Sequence, residues 1–242
     1  MKASQNALRQ STWEFKLNIR NGEQILLLVI IPIAVLIALT QTNIIGGDSW
    51  EIGRALSVSI TVSTLAAGFT SLAIATAFER RSGTLITMGV TPVSRLDLVL
   101  GKTLSTIYLA AIPSAILIVT ALILGWKPQL ASLSFIIFLL LGISSVSGIA
   151  FLLAGTIRAE AVLALANGIF VVALLFGGMI FQYSGFVGII VNLFPPAALA
   201  NCMAFSLDAQ QNNSPHVFQS ITVLATWAII GTFTAAKLFK WR

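Results

Sequence analysis

A chain of 242 residues that is 57% hydrophobic, 9% charged and has a mean hydropathy of +0.95 is not a soluble domain, in which about 25% of residues carry charge. Its formal net charge of +6 is not gathered into a basic stripe, so nucleic acid is not an expected partner. The single Cys202 excludes an internal disulfide and a Cys-rich metal site, and the single His216 excludes a His cluster.

Residues 1–23 come first. At about 100° per residue, Lys2, Arg9, Lys16 and Arg20 fall within about 40° of one another on a helix. Leu8, Phe15 and Ile19 form a second stripe, and Trp13 and Leu17 flank the basic one. The pattern predicts an amphipathic helix in the membrane interface, apolar stripe in lipid and basic stripe toward anionic headgroups. Membrane lipids are thus the first expected partner. Gly22 offers a break before the first apolar stretch. That stretch follows about twenty polar and charged residues with no small-residue cleavage site, so it reads as a retained span.

A span needs about 20 apolar residues. Six segments qualify: Gln24–Thr42, Ala55–Phe78, Thr103–Gly125, Ala131–Ile157, Ala161–Phe181 and Val217–Ala236. None of these stretches contains Asp, Glu, Lys, Arg or His. Small residues recur four apart at Ala73 and Ala77, Ala110 and Ser114, Ser144 and Gly148, Ala150 and Ala154, and Ala164 and Gly168. Such pairs permit close helix contact, within one subunit or between two.

Orientation follows from the loop cations. Lys2, Arg9, Lys16, Arg20, Arg80, Arg81, Arg95, Lys102, Arg158, Lys237, Lys240 and Arg242 fall on one side, against Arg54 and Lys127 on the other. Both termini and the loop at 79–102 are therefore expected in the cytoplasm.

Residues 186–207 fit no simple span. Phe186–Phe194 and Ala197–Leu207 are each about half the length needed to cross, and Pro195-Pro196 separates them. The proline pair removes two donors and disfavours helix at Phe194. Since exposed irregular backbone is not tolerated in lipid, a re-entrant helical hairpin in the outer leaflet is expected. The alternative is an apolar outer loop packed on the bundle.

Gly101-Lys102-Thr103 looks like the end of a phosphate loop, but Leu96 stands where that motif requires glycine. No nucleophile elbow and no carboxylate pair near His216 in sequence points to catalysis. Asn212-Asn213-Ser214 fits a glycosylation sequon, a pattern common by chance. Proton-driven carriers place ionisable groups inside the membrane, and these apolar stretches hold none. A sodium-coupled carrier using neutral oxygens stays open.

The loop at 79–102 is the long polar interruption on the cytoplasmic side. It reads Glu79-Arg80-x-x-Gly83-Thr84-Leu85, then Thr91-Pro92-Val93-Ser94-Arg95, then Leu100-Gly101-Lys102. This order, placed after the second span, resembles the coupling loop of type-2 ABC exporter permeases. The resemblance extends over nearly the whole chain: interfacial N-terminal helix, six spans, cytoplasmic termini and a short re-entrant hairpin before the last span. It implies that the stretch after Glu79 forms a coupling helix docked in a cleft of a separate ABC ATPase subunit. Glu79, Arg80, Arg81, Gly83, Leu85, Met88, Thr91, Pro92, Gly101 and Lys102 would carry that contact, with Leu85, Ile86 and Met88 as apolar contacts.

The expected architecture is thus an all-α integral membrane protein forming one transmembrane domain. It has six spans, an interfacial helix with Arg9, Trp13, Phe15, Lys16 and Arg20, and an outer hairpin broken at Pro195 and Pro196. The expected function is the permease subunit of an ATP-driven exporter in the plasma membrane, the bacterial inner membrane. No catalytic or metal-ligating residue is assigned. No cofactor is expected on this chain; ATP and Mg belong to the partner ATPase. A second permease copy, identical or related, would complete the pathway. An uncharged pathway suits amphipathic or apolar cargo, such as a drug-like compound or a lipid. A sodium-coupled carrier and a non-transporting membrane scaffold or immunity protein are the alternatives.

Overall fold

The computed structural model describes residues 11–16, 22–41, 52–85, 95–128, 133–181, 183–207 and 217–238. Residues 11–16 are helical. The elements that follow are α1 (Gly22–Gln41), α2 (Ile52–Leu65), a π-helical segment (Ala66–Ser71), α3 (Leu72–Arg81), α4 (Arg95–Ile123), α5 (Phe135–Thr156), α6 (Ala159–Phe176), α7 (Gly185–Val191), α8 (Pro195–Leu207) and α9 (Val217–Leu238). Among the described residues, five helices are long and apolar enough to cross a membrane: Ile52–Arg81, Leu96–Ile123, Phe135–Thr156, Ala159–Phe176 and Val217–Lys237. In α1, the expected first span, Leu28–Gln41 is a shorter apolar helix. Every expected span therefore falls on a helix.

The ends of three helices differ most from expectation. The third span was expected from Thr103, yet α4 begins at Arg95 and carries Asp97 and Lys102 within the helix. Likewise α3 runs past Phe78 through Glu79 to Arg81. The span helices are therefore not free of ionisable residues, although their apolar stretches are. The ladder of backbone hydrogen bonds does not stop where hydropathy does, and chain ends at an interface tolerate charge. At the other end, α6 stops at Phe176 and not at Phe181. Gly177 caps it by donating to the Ala173 carbonyl, and Gly178 follows at φ +75°, a left-handed turn that favours glycine.

The second span is the centre of the bundle. Residues Ala55–Leu65 of α2 are all buried. Ser59, Thr61 and Thr64 donate to carbonyls one turn back, which satisfies their hydroxyls inside the helix. The two halves of this span have different neighbours. α2 packs chiefly on α1, α8 and α4, whereas α3 packs chiefly on α5 and α6.

The most extensive helix contact joins α5 to α9. Gly148 faces Gly231 there, and a Cβ on Gly148 would enter the Gly231 backbone. Ala73, Ala77, Ala110, Ser114, Ala150 and Ala154 are also buried within the subunit. The α6 pair is different: Ala164 and Gly168 face outward, and nothing lies within 4 Å of a Cβ placed on Gly168.

Helices α7 and α8 turn by 91° at the break. Phe194 lies outside the helices and Pro195 opens α8, the position where proline loses nothing because its N–H would be unpaired. Trp126, beyond the end of α4, donates to the Leu207 carbonyl at 2.9 Å. Trp227 donates to the Leu193 carbonyl at 2.9 Å. Trp227 sits about 15 Å along α9 from Val217 by helical rise. The bend is thus held halfway down the bundle while Leu207 stays at its end. Asn201 on α8 bonds the Asn192 side chain at 3.2 Å and ties the two arms together. α8 is almost wholly buried, with Leu199 and Met203 among the enclosed side chains, whereas α7 exposes Phe186, Val187 and Ile189.

Candidate functional site

The opposite end of the bundle collects the charge. Lys102 lies two turns into α4, and its side chain is 2% exposed. A buried ammonium is tolerated only with partners. Its Nζ lies 2.8 Å from Glu14 Oε1, 2.7 Å from Glu79 Oε2 and 2.9 Å from Glu79 Oε1. Three N–H donors and two carboxylates on opposite elements fit that pattern. The cluster therefore fastens three pieces of chain: the helical segment 11–16, the end of α3 and the start of α4. Glu79 and Lys102 bound the loop on its two sides, so the cluster closes the base of that loop.

Glu14 reaches it because helix spacing puts Ser11 and Glu14 on one face, and both are buried. The face of this segment that meets the bundle is polar, because the buried ammonium at Lys102 needs a counter-charge. Phe15 is half-buried and meets Tyr108 of α4 edge-to-face with ring centroids 6.1 Å apart. Trp13, 69% exposed, and Lys16 point outward. Arg9 and Arg20 lie outside the described residues.

Beside the cluster is a small cavity with room for a water-sized guest, lined by Glu14, Lys102, Ser71, Ser105, Thr106 and the apolar Ala67, Leu72, Ala75 and Leu109. Ser105 is buried, with no partner for its hydroxyl among the described residues, while Thr106 donates to the Lys102 carbonyl at 2.9 Å. Among the described residues, no group of three or more His, Cys, Asp or Glu is placed to hold a metal ion.

The other loop residues take different places. Arg80 donates to the Ile157 carbonyl at the α5–α6 turn, and Arg81 pairs with Glu160 of α6 across an exposed surface. These contacts tie the end of α3 to a second turn on the same side. Gly83 adopts φ +79°, which reverses the chain after α3. Leu85 was expected to offer an apolar contact to a partner. It is fully enclosed by its own chain instead, because the turn at Gly83 sends it back onto the bundle. Gly101 is buried beside Lys102. Met88, Thr91 and Pro92 lie outside the described residues.

Sequence reasoning found Glu79 and Lys102 but missed Glu14. The signal available was a lone acid between Lys2, Arg9, Lys16 and Arg20, placed one helical turn from Ser11.

The polar loop after the second span is thus closed at its base by side-chain ion pairs. The model of the ABC-2 type transporter family matches residues 10–195. The chain belongs to the ABC-2 type transporter family. The match takes in the whole cluster, the loop and the first arm of the bent pair. No curated protein matches the chain. As an ABC-2 transporter chain it is a multi-pass permease, and its family implies an ABC ATPase partner in general.

Proposed function

We propose that this permease is the membrane subunit of an ATP-driven exporter, in which residues 79–102 dock a separate ATPase. The observation that carries this reading is the Glu14–Lys102–Glu79 cluster. A loop that merely set topology would need cations, but not a buried clamp on both of its ends. With the base fixed, force applied to the loop is delivered to α3, α4 and the N-terminal helix together. Glu79, Gly101 and Lys102 then position the loop. The docking surface is left to Met88, Thr91, Pro92 and the exposed arginine Arg81.

In this reading the loop, both termini and the ion cluster face the cytoplasm of a cell whose plasma membrane the chain spans six times, with α7–α8 re-entrant from outside. The depth of the bend supports re-entry. About 15 Å is half of the roughly 30 Å hydrocarbon core. Two copies, identical or related, line the route. The exposed surfaces of α6, α7 and α9 are apolar, with Val172, Phe176, Phe186, Ile229 and Phe233 all more than half exposed, as lipid contact requires. The cargo is amphipathic or apolar. For a sodium-coupled carrier, the Glu14 and Glu79 carboxylates are already served by a tethered cation, the Lys102 ammonium.

Affinity capture of the tagged permease from its native membranes tests the reading. Recovery of an ATP-hydrolysing subunit in defined stoichiometry is the expected result. Capture of the permease without any such subunit, under conditions that keep the bundle intact, would contradict it.

A further inference from the structure

The second span is one helix by length but two by packing. α2 is held by α1, α8 and α4, next to the bent pair; α3 is held by α5 and α6, next to the ion cluster. Between them, residues Ala66–Ser71 form a π-helical segment. Such segments make up well under 1% of residues, survive only where surroundings hold them, and are frequent at functional sites. This one touches α4, α5 and α6 as well as both halves of its own span. Its Gly68 lets the backbone approach α5, since a Cβ there would stand 2.8 Å from Val146 Cγ2. Ala67 and Ser71 line the cavity at Glu14 and Lys102, and the buried Thr70 hydroxyl has no partner among the described residues.

We propose that this π-helical segment is a joint, through which displacement of the loop base by the ATPase is converted into movement of α3 against α2. The inference rests on the exporter reading of the loop. A π turn holds one residue more than an α turn. Passing that residue along the helix turns the inner half by about 100° and advances it by about 1.5 Å. Neither half needs to unfold, because each keeps its own hydrogen-bond ladder. The inner half ends in Glu79, Arg80 and Arg81, each fastened to another element, so the movement is imposed from that end. The outer half rests on α8, so what the joint transmits arrives at the bent pair.

Deleting Thr70 removes the extra residue and makes the span a continuous α-helix with both packed faces retained. The permease with Thr70 deleted, in complex with its ATPase, is expected to keep membrane levels and ATPase capture while ATP-dependent transport falls by about tenfold or more. Thr70→Ala keeps chain length and is expected to transport normally. Wild-type transport by the deletion protein overturns the joint. If the deletion protein does not accumulate, a spin label on Phe78→Cys in the full-length complex decides the matter. Its exposure to a lipid-borne relaxation agent should change between nucleotide-free and ATP-trapped states, and an unchanged exposure overturns the joint. Capture of the ATPase by the unmodified permease, measured in parallel, separates failure of the joint from failure of the exporter reading.

Discussion

Lys102→Met should separate the structural from the mechanical role of the ion cluster. The change keeps side-chain length and removes the ammonium. It leaves Glu14, 5% exposed, and Glu79 facing each other with no shared cation. Breaking a buried pair by removing one partner costs about 3–5 kcal/mol, less where a carboxylate takes up a proton instead. At about 2–4 °C per kcal/mol for a chain of this size, the melting temperature should fall by about 6–20 °C. Thermal unfolding of the purified permease in one detergent, followed by intrinsic tryptophan fluorescence, reads this directly. Glu14→Gln with Lys102→Met should cost less than the sum of the two single changes, with a coupling energy of about 0.5–3 kcal/mol. The triple variant Glu14→Leu, Glu79→Leu, Lys102→Met replaces all three charges with apolar groups and should recover most of the lost stability. It should not recover transport, because the directional clamp on the loop is gone. A Lys102→Met melting temperature within about 2 °C of wild type, or strictly additive double-variant costs, would refute the buried cluster. Full transport by the stable triple variant would leave the cluster real but remove its mechanical role.

Two further outcomes follow from packing and charge. Gly148→Ala places a methyl in the Gly231 backbone, so it should destabilise the bundle by about 1–3 kcal/mol, whereas Gly168→Ala on the open face of α6 should be close to neutral; paired thermal melts check both. In a Cys202→Ala background, cysteines at Gly83 and Gln211 should react from opposite sides of the membrane, and labelling of Gly83→Cys by an impermeant reagent outside intact cells would reverse the topology.

The apolar runs were legible because hydrocarbon imposes a length of about 20 apolar residues on a span, and each of the six runs contains a helix, five of them long and apolar enough to cross. The break at Pro195 was legible because proline acts locally on its own turn. What the sequence hides is the overrun of α4 to Arg95, since propensity carries a helix through polar residues once packing holds it. Glu14 was hidden for a different reason. Its partners are Lys102 and Glu79, far along the chain, and such a pairing belongs to tertiary structure alone. The same holds for Leu85, which hydropathy places in the loop as a contact and the turn at Gly83 returns to the core. The π-helical segment has no composition of its own: Ala-Ala-Gly-Phe-Thr-Ser reads like any other stretch of a small-residue span.

The central claim is that a separate ATPase drives this permease through the loop at 79–102. Met88→Asp tests it most directly, because the change leaves every Lys and Arg that sets topology in place and puts a carboxylate into the proposed docking contact. Desolvating an unpaired carboxylate at a packed contact costs several kcal/mol, enough to release the subunit. The account predicts normal membrane levels of the Met88→Asp protein, loss of the co-purifying ATPase and loss of ATP-dependent transport. Full ATP-dependent export by that protein, with the ATPase still bound, would contradict it.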